Sequence, residues 1–430
     1  MKKFNVLFIS ILTVFVFGVN TLVQAQFSLS GEFRPRTEYR HGFKNLVPED
    51  AKAAFQISQR TRINAAYTFQ NMKFGISVQD VRLWGETPQL TATSNRLMLH
   101  QAWAEIGLSK NLGLKLGRQE LVYDDARMLG NVDWAQQGRS HDLALLKYES
   151  KFKLHVGIAF NQQFDQLLTT KYDLAANYKS MQFLWFNKQI KKLSISVLAL
   201  NNGMEYKYMK DSVDAFKTVF SQTLGTHLNY KTEKIAIYGN VYYSLGKDAT
   251  DRDLKAYNLM VGGDYQFSKN WGIGLGAETL SGTSQKEKKE NQNYTNKSFN
   301  PFYGTNHKFN GFMDYFYVSN HLNSVGLNDL FLSANYKQNK TSVSLTAHLF
   351  STAADVLKPN QTETVLLGKN LGTELDLVYS YKINEIANVS VGYSQMFGSE
   401  TLQVLKGGDH KQTNNWVWAM VSFRPTFFKQ

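Results

Sequence analysis

The feature that most constrains this chain is a two-residue alternation that runs longer than a soluble strand allows. From Phe27 one set of positions reads Phe27, Leu29, Gly31, Phe33, Pro35, Thr37, Tyr39, while the interleaved set Ser28, Ser30, Glu32, Arg34, Arg36, Glu38 is polar throughout. Successive side chains of a strand point to opposite faces, so such a segment separates an apolar medium from a wet one. The next segment repeats the pattern, with Phe55, Ile57, Ile63, Ala65, Tyr67 and Phe69 against Gln56, Ser58, Arg60, Arg62, Asn64 and Thr68. Runs of about ten to fifteen residues exceed the typical globular strand of five or six, and a tilted strand needs about nine to eleven to cross a membrane.

About eighteen such segments follow one another, and the connections between them alternate in length. Short turns fall at 70–71, 109–111, 150–151, 189–191, 231–232, 268–270, 338–340 and 384–385. Long ones fall at 40–54, 82–95, 121–140, 162–178, 202–216, 245–253, 282–326, 352–369 and 398–414. This predicts an all-β fold, a transmembrane antiparallel β-barrel of about 18 strands with short periplasmic turns and long extracellular loops. An open sheet would leave unpaired backbone in lipid, so the last segment, Trp416 to Phe423, is expected to close on the first. Rings near strand ends, such as Phe69 and Phe74, Phe267 and Trp271, and Tyr379 and Tyr381, suit an interfacial aromatic girdle.

The start of the chain agrees. Lys2 and Lys3 precede an apolar run from Val6 to Val19, and Val23-Gln24-Ala25 supplies small residues at cleavage spacing. Residues 1–25 therefore read as a signal peptide, 26–430 as the barrel domain, and the location as a Gram-negative outer membrane. Beyond Ala25 no apolar run is long enough to cross a bilayer as a helix. The chain has no Cys, 22 Tyr and 29 Phe, and a formal charge of +13 that includes Lys2 and Lys3. A basic balance on an exported protein points to anionic partners, either lipid and lipopolysaccharide headgroups or an acidic solute, and no nucleic-acid motif is present. The nine His are scattered without a nucleophile pattern or metal-ligand spacing, so no catalytic residue, metal or cofactor is expected.

With apolar faces toward lipid, the polar faces line the lumen. The early strands offer Arg34, Arg36, Arg60, Arg62, Lys73 and Lys115 with Glu32, Glu38 and Glu105, whereas later ones offer Asp264, Glu278, Glu374 and Asp376. A wall basic on one side and acidic on the other would orient a charged solute; the competing reading is that these charges pair and hold the wall. The stretch Gly117–Asp142, GRQELVYDDARMLGNVDWAQQGRSHD, gathers Arg118, Glu120, Asp124, Asp125, Arg127, Asp133, Arg139 and Asp142. It reads as a strand end followed by an external loop that folds inward, its Asp and Arg residues bridging one another. Arg118 shares the phase of Leu112, Leu114 and Leu116, so either Gly117 turns it inward through a bulge or it snorkels at the outer interface. In the longest connection, 286–290 reads as a solvated tip and the aromatic, Gly-rich stretch 300–320 as an ordered loop.

Four stretches resemble the alginate-export outer-membrane proteins: the one at 117–142, VQDVRLWGE at 78–86, LHQAWAEI at 99–106 and FYGTNHKFNGFMDYF at 302–316. The resemblance implies an eighteen-stranded barrel whose narrow, electropositive pore passes an anionic polyuronate. The matching positions are Arg118, Tyr123, Asp124, Arg127, Asp133, Trp134, Arg139, Asp142, His307, Gly311 and Asp314. The expected function is a porin-like channel for anionic solutes or acidic oligosaccharides. The alternative is a non-conducting barrel that serves an envelope assembly and binds a periplasmic or envelope partner protein.

Overall fold

The computed structural model of the protein describes residues 25–90, 96–172, 174, 177–317, 321 and 323–430. All but the last residue of the expected signal peptide lies outside these, as do 91–95 and 318–320 of two expected loops. The strands run Gln26–His41 (β1), Ala54–Phe69 (β2), Met72–Leu83 (β3), Leu97–Gly107 (β4), Leu112–Gln119 (β5), His141–Glu149 (β6), Lys153–Phe160 (β7), Ser180–Ile190 (β8) and Leu193–Lys210 (β9). They continue as Val213–Lys231 (β10), Ile235–Lys247 (β11), Asp253–Gln266 (β12), Trp271–Leu280 (β13), Leu327–Gln338 (β14), Thr341–Ser351 (β15), Asn370–Lys382 (β16), Ala387–Gly398 (β17), Asn414–Phe423 (β18) and Thr426–Lys429 (β19).

From β1 to β18 each strand pairs antiparallel with its sequence neighbour, and β1 closes the sheet against β18 through pairs such as Arg36 with Met420. β18 and β19 are two halves of one final strand, so the molecule is a closed eighteen-stranded barrel. The break falls at Arg424-Pro425, where Pro has no N–H to give the ladder. Gly31 N–H instead donates to the Pro425 carbonyl at 2.9 Å; pairing resumes in the same register with Ser30 opposite Thr426 and slips one step before Leu29 opposite Phe428.

The alternation read from the sequence sorts inside from outside. Outward positions stay open, among them Val261 at 59 % and Leu275 at 60 %, an apolar surface that only lipid would cover. Inward positions of β1 and β2 are polar yet buried. Rings cluster by the short turns as a girdle: Trp271 with Tyr336 at 4.7 Å, Tyr67 with Phe74 at 6.5 Å, and Phe27 with Phe428 at 6.0 Å.

One expected loop is absent. Residues 202–216 are not a long irregular connection, because β9 and β10 keep pairing up to Lys210 opposite Val213. Asp211 and Ser212 make the turn at φ 51° and 63°, the paired left-handed geometry that matches strand twist. β8 pairs with β9 only up to Gly203 and β11 with β10 only back to Ser221, so this hairpin projects beyond its neighbours on the long-loop side.

Candidate functional site

The register of β1 on β2 sets Glu32 opposite Arg62 and Arg34 opposite Arg60, all pointing inward. Five arginines within two strands would repel one another, and each is held by acceptors. Arg60 Nη2 lies 2.7 Å from Glu32, Arg36 Nε 3.3 Å from Glu38, and Arg62 donates to Gln79 at 2.6 Å. Glu38 also meets Arg40 at 2.9 Å and accepts from Trp416 Nε1 at 3.2 Å, while Arg424 beside the strand break reaches Glu32 at 2.9 Å.

The connection between β5 and β6, residues 120–140, folds into the barrel. Its charges do not bridge one another as the sequence reading expected; they dock on two separate wall sectors. Asp133 takes Arg60 at 2.7 Å and Arg34 at 3.4 Å. Burial opposes ionisation of Asp133, but Arg60 and Arg34 outweigh it and hold the carboxyl below its ordinary pKa. Arg127 takes Glu278 of β13 at 2.7 Å with both groups almost fully buried. The loop thus carries an anion to the basic wall and a cation to the acidic one. Spacing within the loop cannot reveal this, since the partners lie 73 residues away or more. Trp134 follows Asp133, with the Arg36 guanidinium 4.2 Å above its ring and Trp418 edge-on at 4.9 Å. At the loop's other end Tyr123 meets His155 Nδ1 at 2.9 Å, and Asp124 accepts from Trp185 Nε1 at 3.0 Å.

The described residues of a second loop, between β13 and β14, also turn inward and meet the first. Gly130 N–H donates to Tyr303 O and Thr305 N–H to Ala126 O, both at 2.8 Å, and Arg139 Nη1 donates to Gly304 O at 3.0 Å. Burial draws the Arg139 guanidinium below its ordinary pKa. His307 stacks on Trp134 at 4.4 Å, and its Nδ1 lies 2.8 Å from Asp314. Beyond it the backbone caps the acidic wall, with Met313 N–H donating to Glu374 at 2.7 Å and Phe312 N–H to Asp376 at 3.2 Å. Gly311 makes this approach possible: at φ 83°, a Cβ there would sit 2.6 Å from the Glu374 carboxylate. The expected tip 286–290 lies within a short exposed helix, Gln285–Glu290.

Not every candidate faces the lumen. Arg118 and Asp142 sit directly opposite each other on β5 and β6, their neighbours Gln119 and His141 point inward, and the pair lies exposed with Nη2 2.8 Å from Oδ2. Gly117 takes φ 110° without shifting the register, so Arg118 keeps the outward phase of Leu116 and does not turn into the lumen. Asp142 is corrected with it. Glu105 pairs with Lys147 at 2.6 Å, and Lys115 lies 3.8 Å above the Trp103 ring. The basic sector β1–β2 and the acidic strands β13, β14 and β16 are not diametrically opposed, as only β15 to β18 lie between β14 and β1. Sequence reasoning missed Trp416 and Trp418, read only as closing-strand residues; their alternation with Val417 was the available signal.

Two cavities border these loops. The outer one, about 570 Å³, lies by the long-connection ends of β1 and β3 and is lined by Arg36, Arg40, Phe43, Lys44 and Trp134 among others. The inner one, about 490 Å³, lies toward the short turns and carries Asp124, Asp125, Asp264, Glu278 and Asp329 with Lys308.

Residues 25–417, all of the barrel but the end of its last strand, match the family model described as alginate export. The chain belongs to the alginate export family. No curated protein matches it in sequence. Among solved structures it resembles Pseudomonas aeruginosa outer-membrane protein OpdK, with TM-score 0.61 and 9 % identity over 94 % of this chain and 99 % of that one. It also resembles OpdQ of the same organism (TM-score 0.59, 13 % identity, 94 % and 98 % covered) and OccK9, or OpdG (TM-score 0.60, 12 % identity, 93 % and 98 %). At these identities the likeness shows the fold. Together they make this alginate-export family member a Gram-negative outer-membrane, porin-like barrel.

Proposed function

We propose that this family member is a passive or facilitated channel for anionic solutes, acidic saccharides such as uronate oligomers being the class that suits it, and that it carries out no catalysis. The observation that supports this is the outer cavity. Its lining holds Arg36, Arg40, Lys44, Arg82 and Arg96 against Glu38, Glu86 and Asp314, an excess of positive charge at the mouth of a low-dielectric lumen. Phe43, Trp134 and Tyr317 border the same space and offer ring faces to a saccharide. Lys44 is exposed, whereas Arg34 and Arg60 lie behind their partners, so entry selectivity belongs to the rim and not to the deep ladder.

The test is the zero-current potential of purified protein in a planar bilayer under a KCl gradient. Wild type is expected to prefer chloride, and Arg40→Glu with Lys44→Glu to lower that preference severalfold. Glucuronate oligomers should block the current where neutral sugars do not. A cation-preferring wild type, or a barrel closed at every voltage and salt, rejects the reading.

A further inference from the structure

We infer that Arg34 and Arg60 form a carboxylate-binding site in the lumen which Asp133 of the inward loop occupies at rest, and that an anionic solute gains this site by exchanging with Asp133. The inference rests on the anion-channel reading above and adds a built-in competitor to it.

The geometry carries it. The Asp133 side chain is 47 % exposed, while those of Arg34 and Arg60 behind it are 3 % and 1 % exposed, so the carboxylate stands between the guanidinium groups and the lumen. Its Oδ1 lies 2.7 Å from Arg60 Nη2, and its Oδ2 lies 3.4 Å from Arg34 Nη1 and 3.7 Å from Arg424 Nη2. The fit is incomplete, because Arg60 Nε is buried without any acceptor. A carboxylate free of a tether can align both oxygens with a guanidinium edge, the strongest geometry such a pair adopts.

The charge balance points the same way. Arg34, Arg60 and Arg424 share Glu32 and Asp133, so taking Asp133 away leaves two uncompensated cations, and a solute carboxylate restores the resting balance. The side chain can leave without the loop leaving. Arg34 Nη2 also holds the Asp133 carbonyl at 2.8 Å, Gln136 holds Arg34 Nε at 3.1 Å, and Arg36 holds the Trp134 carbonyl at 2.8 Å. The preceding residue is itself strained. Val132 is β-branched and sits at φ 52°, with its N–H held by Thr305 Oγ1 at 3.1 Å.

Titration calorimetry of the detergent-solubilised barrel with D-glucuronate, and with D-glucose as the neutral control, tests the exchange. Asp133→Asn keeps the backbone anchors and is expected to bind glucuronate about tenfold more tightly than wild type, since a site free a tenth of the time binds about tenfold more weakly. Arg60→Gln in that background should abolish the gain. Asp133→Asn binding no tighter than wild type, or a gain that survives loss of Arg60, overturns the proposal. If Asp133→Asn does not fold, Asp133→Ser, which removes the carboxylate and keeps the same backbone anchors, takes its place in the titration: it should bind glucuronate more tightly than wild type, and binding no tighter overturns the proposal. None of these readouts uses conductance, so a cation-preferring channel would reject the functional reading while the binding result still judged the exchange.

Discussion

At the scale of single residues, the lumen is organised by charges whose partners lie far off in sequence. Arg127 shows what one such contact is worth. Its guanidinium lies 2.7 Å from Glu278, with the two side chains 1 % and 3 % exposed. Removing one member of a buried pair strands the other, which costs about 3–5 kcal/mol. Arg127→Met should therefore lower unfolding stability in detergent by about 3 kcal/mol, toward the low end because Asn258 and Asn310 still donate to Glu278. Arg127→Met with Glu278→Gln should recover most of that loss. A single variant within about 0.5 kcal/mol of wild type would show that the pair does not anchor the loop. Arg118 marks the limit of reading residues alone. Its phase with the leucines correctly pointed outward, yet Gly117 left an inward turn open, and only the registered pairing with Asp142 decides it.

At the scale of elements, the strands were legible and the destinations of the loops were not. Alternation is a local property, so every wall strand left its mark within its own ten or so residues. The 202–216 segment was misread because Lys207, Lys210, Asp211 and Asp214 obscure an alternation that continues past the barrel rim, where both hairpin faces are wet. The inward fold of 120–140 was anticipated from its charges, but its docking on Arg34, Arg60 and Glu278 could not be, since nothing near the loop encodes those partners. The final strand shows an element doing two jobs around one proline. β18 seals the outer half of β1, and β19 seals Ser28 to Ser30. Deleting residues 426–430 would leave that part of β1 as an open edge in lipid, where each unpaired backbone group costs several kcal/mol. The truncated chain is expected to fold into liposomes in clearly lower yield, scored by heat-modifiable electrophoretic migration. An undiminished yield would mean that β19 is dispensable for closure.

At the scale of the whole molecule, the barrel is a wall with two loops folded into its lumen. Where 126–130 meets 303–305, the lumen is parted into a basic outer chamber and an acidic inner one. Replacing residues 124–139 with a short Gly-Ser linker removes that partition without touching any wall strand. Conductance in a planar bilayer should then rise severalfold while the barrel keeps its folded migration. A variant that folds and conducts like wild type would place the narrowest point elsewhere.

The seam between β1 and β18 carries a further consequence, one of time. It joins residues from the two ends of the chain, such as Arg36 with Met420, and contacts that distant in sequence form late because a long loop must close before they contribute anything. The wall strands can zip neighbour to neighbour as they appear, but Trp134 cannot find Trp416 until the seam has shut. Assembly of this protein should therefore finish at its centre: the cylinder first, as an open tube, and the crossing loops afterwards.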